Sequence, residues 1–262
     1  MSSLGTFRML FARNVPHILE NIFLSLDNKC FQSCLEVNKT WRELLLTAPY
    51  QRKLAEMLAE KKKNSENLHI ALSKLRTAEE IEKLIDDLVV DVNFALGFDQ
   101  TTPLIEASKA GDKTVVEVLL ERGADIEKVD YWKKTALNWA AYYGKLNVVN
   151  LFIDEGAEVD KTDFNGFTPL FRAAQGGCKD MVKVLLEQGA NPNLEDEFGK
   201  TPLHVAAAQG NIGVIKPLIE GGANPNKKDK WGKTPLHNAT VWDNKEMVKE
   251  LIDGGADPDN NG

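Results

Sequence analysis

The string Thr201-Pro202-Leu203-His204-Val205-Ala206 returns 33 residues later as Thr234-Pro235-Leu236-His237-Asn238-Ala239. The same step backwards reaches Thr168, Thr135 and Thr102. The pairs Gly123-Ala124, Gly156-Ala157, Gly189-Ala190, Gly222-Ala223 and Gly255-Ala256 keep that register too. Self-similarity at a fixed period of this size marks a stacked-repeat architecture. One unit predicts its own parts. In the third, Thr168 caps a helix opened by Pro169, whose missing N–H is no loss at a first helical position. Ala173-Ala174 keeps that helix thin enough for a second to approach closely. Met181-Val182 and Leu185-Leu186 form the apolar stripe of the second helix, and Gly189 follows where a helix end wants a left-handed residue. Equivalent stripes are Val115-Val116-Leu119-Leu120, Val148-Val149-Phe152-Ile153, Val214-Ile215-Leu218-Ile219 and Met247-Val248-Leu251-Ile252. A unit of helix, turn, helix and projecting loop cannot bury its stripe alone. Units therefore stack into a quasi-one-dimensional solenoid with an extended concave surface, and such surfaces bind other macromolecules.

The period and the Thr-Pro-Leu-His-x-Ala string resemble ankyrin repeats. On that reading residues 102–134, 135–167, 168–200, 201–233 and 234–262 are five repeats. Asp91-Val92-Asn93 lies 34 positions before Asp125-Ile126-Glu127, so residues 68–101 read as a degenerate leading repeat with one extra residue. The resemblance implies a mainly α solenoid of helix-turn-helix units with β-hairpin-like loops. It also implies that His204 and His237 hydrogen-bond backbone between repeats. Neither histidine has a companion at zinc-ligand spacing, so no metal is expected there. Pro217 falls inside the fourth outer helix, where it removes a donor and is expected to bend the last turns. The chain stops at Asn260-Asn261-Gly262, just before another Thr-Pro-Leu falls due, and reads as part of a longer array.

Charge is unevenly distributed. Residues 1–63 hold ten Lys/Arg against six Asp/Glu, and the remainder 22 against 33. An acidic array lacks the basic stripe that phosphate backbones require, so nucleic acid is not the expected partner; a basic patch on a protein would be steered towards it instead. Cys30, Cys34 and Cys178 make no disulfide framework. The odd count fits a reducing compartment, and the cytoplasm, with the nucleus as a second location, is expected. Cys30 and Cys34 lie one helical turn apart but lack the other half of a metal site. No run approaches the ~20 apolar residues that a membrane-spanning helix needs. A phosphate loop, a Cys/His pair at useful spacing and a nucleophile elbow are all missing, so neither enzymatic activity nor a cofactor is expected.

Ahead of the repeats, residues 1–13 form a tail. Ile18, Leu19, Ile22, Phe23 and Leu26 then follow the spacing of an amphipathic helix entered through Pro16. A polar turn, Asp27-Asn28-Lys29, precedes a second helix. Some 40 residues bury too little surface to stand without a partner, which points to a docking module or to a helical cap on the solenoid. Pro16, Ile18, Leu19, Ile22, Phe23, Leu26, Asp27, Leu35, Val37, Trp41 and Arg42 resemble an F-box, spanning residues 14–48. Val15 and the Cys30-Phe31 pair stand where that family usually has leucine. The resemblance implies that Pro16, Ile18, Leu19, Ile22 and Leu26 face a Skp-type adaptor of a cullin-RING ubiquitin ligase. Residues 49–67 read as a linking helix from Tyr50 to Glu60, followed by a solvated stretch, Lys61 to Asn67. Thr77-Ala78-Glu79-Glu80 then opens a helix with Ile81, Leu84, Ile85 and Leu88 inward.

Repeat positions that neither pack nor turn are free to carry recognition. Four, seven and eight residues past each threonine stand Trp139, Tyr142 and Tyr143 in one repeat, Arg172 and Gln175 in the next, and Trp242 in the last, all expected on the concave face. Exposed aromatics beside an arginine are the residue types that anchor interfaces. Loop tips add Tyr131, Trp132, Phe164, Phe198 and Trp231, which either contact a partner or pack between adjacent loops. Two functions fit. One is a substrate-recognition subunit of a ubiquitin ligase, a monomer in itself, holding a protein substrate on the concave face. The other is an ankyrin scaffold or inhibitor with no link to ubiquitin.

Overall fold

From residue 102 onward, each repeat opens on a threonine at the start of its inner helix. Thr102 has extended backbone, φ −91 and ψ 161, and its hydroxyl accepts from the Ile105 N–H at 3.3 Å. Thr168 accepts from the Phe171 N–H at 3.1 Å. Pro103, Pro169, Pro202 and Pro235 take the first helical position, where no N–H is needed. The inner helix ends on a glycine whose positive φ no β-carbon resists: Gly111, Gly177 and Gly210, at +82, +69 and +77.

The computed structural model describes residues 48–73, 77–87, 90–241 and 244–260. The F-box-like residues Pro16, Ile18, Leu19, Ile22 and Leu26 lie outside the described residues, as do Cys30, Cys34, Leu88, Trp242 and Asp243. In chain order the helices are α1 (Ala48–Ser73), α2 (Ala78–Asp87), α3 (Pro103–Ala110), α4 (Lys113–Glu121), α5 (Ala136–Tyr142), α6 (Leu146–Asp154), α7 (Pro169–Gly176), α8 (Lys179–Glu187), α9 (Pro202–Gln209), α10 (Ile212–Glu220), α11 (Pro235–Val241) and α12 (Lys245–Asp253). The chain divides into residues 1–64 and 65–262, and the repeats occupy the second unit. There the inner helices α3, α5, α7, α9 and α11 stack in order, and so do the outer helices α2, α4, α6, α8, α10 and α12. No strand forms among the described residues, which leaves a helical solenoid.

The outer stripe is three side chains deep. Val115, Val116 and Leu119 are buried, as are Val148, Val149 and Phe152, and likewise Met181, Val182 and Leu185. The fourth stripe position sits at the rim: Leu120, Ile153, Leu186 and Ile219 are only partly buried, and Ile252 is exposed. Each fully buried side chain of this size contributes about 1.5–3 kcal/mol, so the core is a sum of equal layers. Pro217 lies inside α10, and the helix runs through it to Glu220, with the Gly221 N–H on the Pro217 carbonyl at 2.9 Å.

The leading repeat departs from expectation. The stretch from Lys61 to Asn67 is helical, and Ser65 within it is fully buried. Its lysines, glutamate and asparagines continue a helix instead of breaking it, because nothing in the run is a glycine or proline. The Ser65 hydroxyl accepts from the Asp91 N–H at 2.9 Å, and a ring nitrogen of His69 meets the Phe94 carbonyl at 2.8 Å. The inner helix of this repeat is therefore the end of α1, and no helix starts at residue 68. Thr77 does open α2, accepting from the Glu80 N–H at 3.3 Å.

Between repeats a ladder of polar side chains holds the loops. Asn93, Glu127, Asp160, Asn193 and Asn226 accept from the N–H of Asp125, Glu158, Asn191, Asn224 and Asp257, one repeat further on. The amides of Asn93, Asn193 and Asn226 also donate to the carbonyls of Gly123, Gly222 and Gly255, each at 2.9 Å. These bonds lie at the exposed edge of the array and tie the backbone of each loop to the next repeat.

Candidate partner-binding face

Four aspartates, Asp130, Asp163, Asp196 and Asp229, build the projecting loops. Each is buried. In each, Oδ1 accepts two backbone N–H groups, two and four residues on: Trp132 and Lys134, Asn165 and Phe167, Phe198 and Lys200, Trp231 and Lys233. Each also donates its own N–H to the residue four further on. The turn needs a left-handed residue three places after the aspartate, supplied by Gly166, Gly199 and Gly232, but by Lys133 at φ 58 in the first loop. Successive loops then join through backbone bonds, such as Phe164 N–H to the Trp132 carbonyl at 2.8 Å.

The outer oxygen of two of these aspartates reaches the inner helices. Asp130 Oδ2 accepts from Trp139 Nε1 at 2.8 Å, and Asp163 Oδ2 from Arg172 Nη2 at 2.9 Å. Trp139 and Arg172 are one repeat apart. Arg172 also donates to Gln175 Oε1 at 3.0 Å and lies over the Phe167 ring at 4.3 Å and the Tyr142 ring at 5.4 Å. Lys109, paired with Glu106 at 2.9 Å, lies 4.6 Å from the centre of Trp139. Lys134 comes closer to the same ring, at 4.0 Å, with Tyr142 at 5.8 Å and Trp132 at 5.9 Å. Burial, together with the neighbouring Arg172, pushes the Lys134 ammonium below its ordinary value, and Asp163 and Asp130 offset this in part.

The predicted residues thus divide. Tyr142 and Tyr143 are about half exposed, at 49% and 48%, and pack edge to face against each other. Trp139 stacks on Tyr143 with its indole N–H already committed to Asp130, and Gln175 is held by Arg172. Arg172 itself is largely enclosed, so its fork is spent inside the chain and is not free for a partner. On the loops Trp132 and Trp231 are exposed; Trp231 stacks on Phe198 at 5.7 Å, and Tyr131 lies tilted by 36° against Phe98 at 5.3 Å. The tips thus pack against adjacent loops and still expose much of their ring surface to solvent. Lys134 and the four aspartates were not singled out in the sequence, although the aspartates keep the 33-residue step.

His204 links repeats as the resemblance implies. Nδ1 accepts from the Thr201 N–H at 3.1 Å, which leaves the proton on Nε2 to donate to the Lys233 carbonyl at 3.1 Å. Asn138 fills the same slot two repeats earlier, accepting from the Thr135 N–H and donating to the Lys161 carbonyl at 3.1 Å. Among the described residues no three His, Cys, Asp or Glu side chains gather to hold a metal ion, and no helix is long and apolar enough to cross a membrane.

Stacked helix pairs, polar ladders and a surface of aromatic and cationic side chains define a repeat solenoid for protein–protein interaction. The chain belongs to the ankyrin-repeat family: a family model of three ankyrin repeats matches residues 127–196 and 188–262, and a single-repeat model matches residues 99–131. The residues that carry the F-box resemblance lie outside these matches. No curated protein matches the chain.

Proposed function

We propose that the array holds a protein substrate against the inner-helix face around Trp139, while residues 14–48 dock a Skp-type adaptor, so that the bound protein is presented to a cullin-RING ubiquitin ligase. The observation that carries the array's part is the half-exposed pair Tyr142 and Tyr143 beside Lys109, Lys134 and Arg172. Aromatic rings beside cations are the surface types that dominate interface energies. The adaptor's part is supported by the order of Pro16, Ile18, Leu19, Ile22, Leu26, Trp41 and Arg42 in the sequence.

The deciding experiment is a pull-down of the full chain with a Skp-type adaptor, beside a Pro16→Ala/Ile22→Asp variant. Retention of the adaptor by the wild type, and its loss in a variant whose repeats still melt cooperatively, is the expected result. No retention by the wild type overturns the ligase reading and leaves an ankyrin scaffold or inhibitor.

A further inference from the structure

Lys134 differs from the other cations of the inner face. Lys109 is matched by Glu106 and Arg172 by Asp163. Among the described residues no carboxylate lies within ion-pair distance of Lys134, whose ammonium rests in a half-buried frame of Trp139, Tyr142 and Trp132. Asp130, the nearest loop carboxylate in sequence, has its oxygens occupied by the N–H groups of Trp132 and Lys134 and by the Trp139 indole. Removing a lone ammonium from water is unfavourable, and the faces of aromatic rings return only part of that loss. An anion brought to this position would be stabilised in a partly dehydrated setting, where a charge pair counts for more than at an open surface.

We propose that Lys134 receives one aspartate or glutamate side chain of the bound protein, with an adjacent apolar residue of that protein seated on Tyr142 and Tyr143. The inference rests on the reading of the inner-helix face as the partner surface. The charge count selects a carboxylate over a phosphate. Lys134 offers a single ammonium with no carboxylate in direct contact, its charge already offset in part by Asp130 and Asp163, and the guanidinium of Arg172 already spends Nη1 on Gln175 and Nη2 on Asp163, which leaves no open fork for a doubly charged group. The surrounding charge narrows the segment further. Residues 64–262 carry 22 Lys/Arg against 33 Asp/Glu, so a strongly acidic segment is repelled before it arrives. A segment that is neutral or basic apart from its single acid is not. Beyond ~8 Å that repulsion is screened at physiological salt, and the contact itself is decided by Lys134.

The test uses a phage-displayed library of random 12-residue peptides, panned against the full chain and, in parallel, against a Lys134→Met variant checked for an unchanged melting curve. The expected result is that the wild type enriches peptides with one Asp or Glu beside an aromatic or aliphatic residue. The strongest of these should bind Lys134→Met about tenfold more weakly or worse, as the loss of a charged hydrogen-bond partner predicts. A Tyr142→Ser/Tyr143→Ser variant separates the two levels of the argument. Peptides that lose affinity in the tyrosine variant but not in Lys134→Met overturn the acid-recognition proposal alone. Peptides indifferent to both, or no enrichment at all, overturn the inner-face reading beneath it. A phosphoserine version of the selected peptide that binds more tightly than the carboxylate version also overturns the proposal, transferring the site to phosphorylated partners.

Discussion

The guanidinium of Arg172 and the carboxylate of Asp163 meet at 2.9 Å with 11% and 1% of their side chains exposed. The pair joins an inner helix to the loop that precedes it. Asp163→Ala strips Arg172 of its counter-charge and also removes the acceptor for two loop N–H groups. The expected loss is about 3 kcal/mol, the cost of breaking one side of an enclosed pair. Asp196→Ala removes only the two N–H acceptors that Oδ1 provides, and should lose about 1–2 kcal/mol. Urea unfolding of the two variants side by side checks the order.

His204 makes the array sensitive to acid. Burial holds its imidazole below the ordinary value, although the Lys233 carbonyl pulls the other way. The unfolded chain therefore takes up the proton first as pH falls below about 6.5, its ordinary value. The contribution to stability is fully present above that pH and is lost below it, until the folded ring itself titrates. His204→Asn supplies the residue that Asn138 shows can fill the slot, and it removes the proton. The urea midpoint of this variant should fall less than that of the wild type between pH 7.5 and 5.5.

Lys133 holds φ 58 at the turn position where the other loops have glycine. A left-handed backbone costs an ordinary residue about 1–2 kcal/mol, part of which glycine gives back as extra freedom when unfolded. Lys133→Gly should therefore stabilise the array by about 0.5–1 kcal/mol. Gly166→Ala should do the reverse, because a β-carbon there meets the Asp196 Cα at 3.1 Å and the Glu195 carbonyl at 3.3 Å, and both are backbone. Gly189→Ala, with the same positive φ but open space around it, should be the milder of the two. Thermal melts of the three variants decide this.

Arg122 ties the outer helix α4 to α2, donating to both carboxylate oxygens of Asp86 and to Glu82 Oε1 at 2.8 Å. The leading repeat has a neighbour on one side only within residues 65–262, so its outer helix should open first when this tie is cut. Arg122→Ala is expected to speed amide exchange across residues 78–87 and leave residues 169–187 unchanged. Arg122→Lys should not restore protection, since a single ammonium cannot span two carboxylates as the fork does. The difference should shrink at high salt.

The helices were legible because their start is written in side chains: a threonine recurs without drift from Thr102 to Thr234, followed by proline in four of the five repeats and by a small residue, Ala136, in the other. The loop architecture is equally periodic but is not legible from residue type. Asp130, Asp163, Asp196 and Asp229 look like ordinary acids of exposed turns, and only their burial reveals that they are the turns' scaffold. The inner-face residues were harder for another reason. Spacing places Trp139 and Arg172 towards the concave side, but it does not say that each turns its donor back to an aspartate nine residues earlier. Lys134 lies just before a capping threonine, outside any helical pattern. Its role emerges only when three rings from two elements surround it.

The two oxygens of each loop aspartate carry separate tasks. Oδ1 shapes the loop in all four loops, whatever side chains decorate the tip. Oδ2 meets an indole in one repeat and a guanidinium in the next, and the equivalent position after Asp196 is the apolar Val205. The residue that addresses Oδ2 is thus an exchangeable part: a new side chain there re-aims the surface presented to a visitor, while the frame beneath it stays as it was.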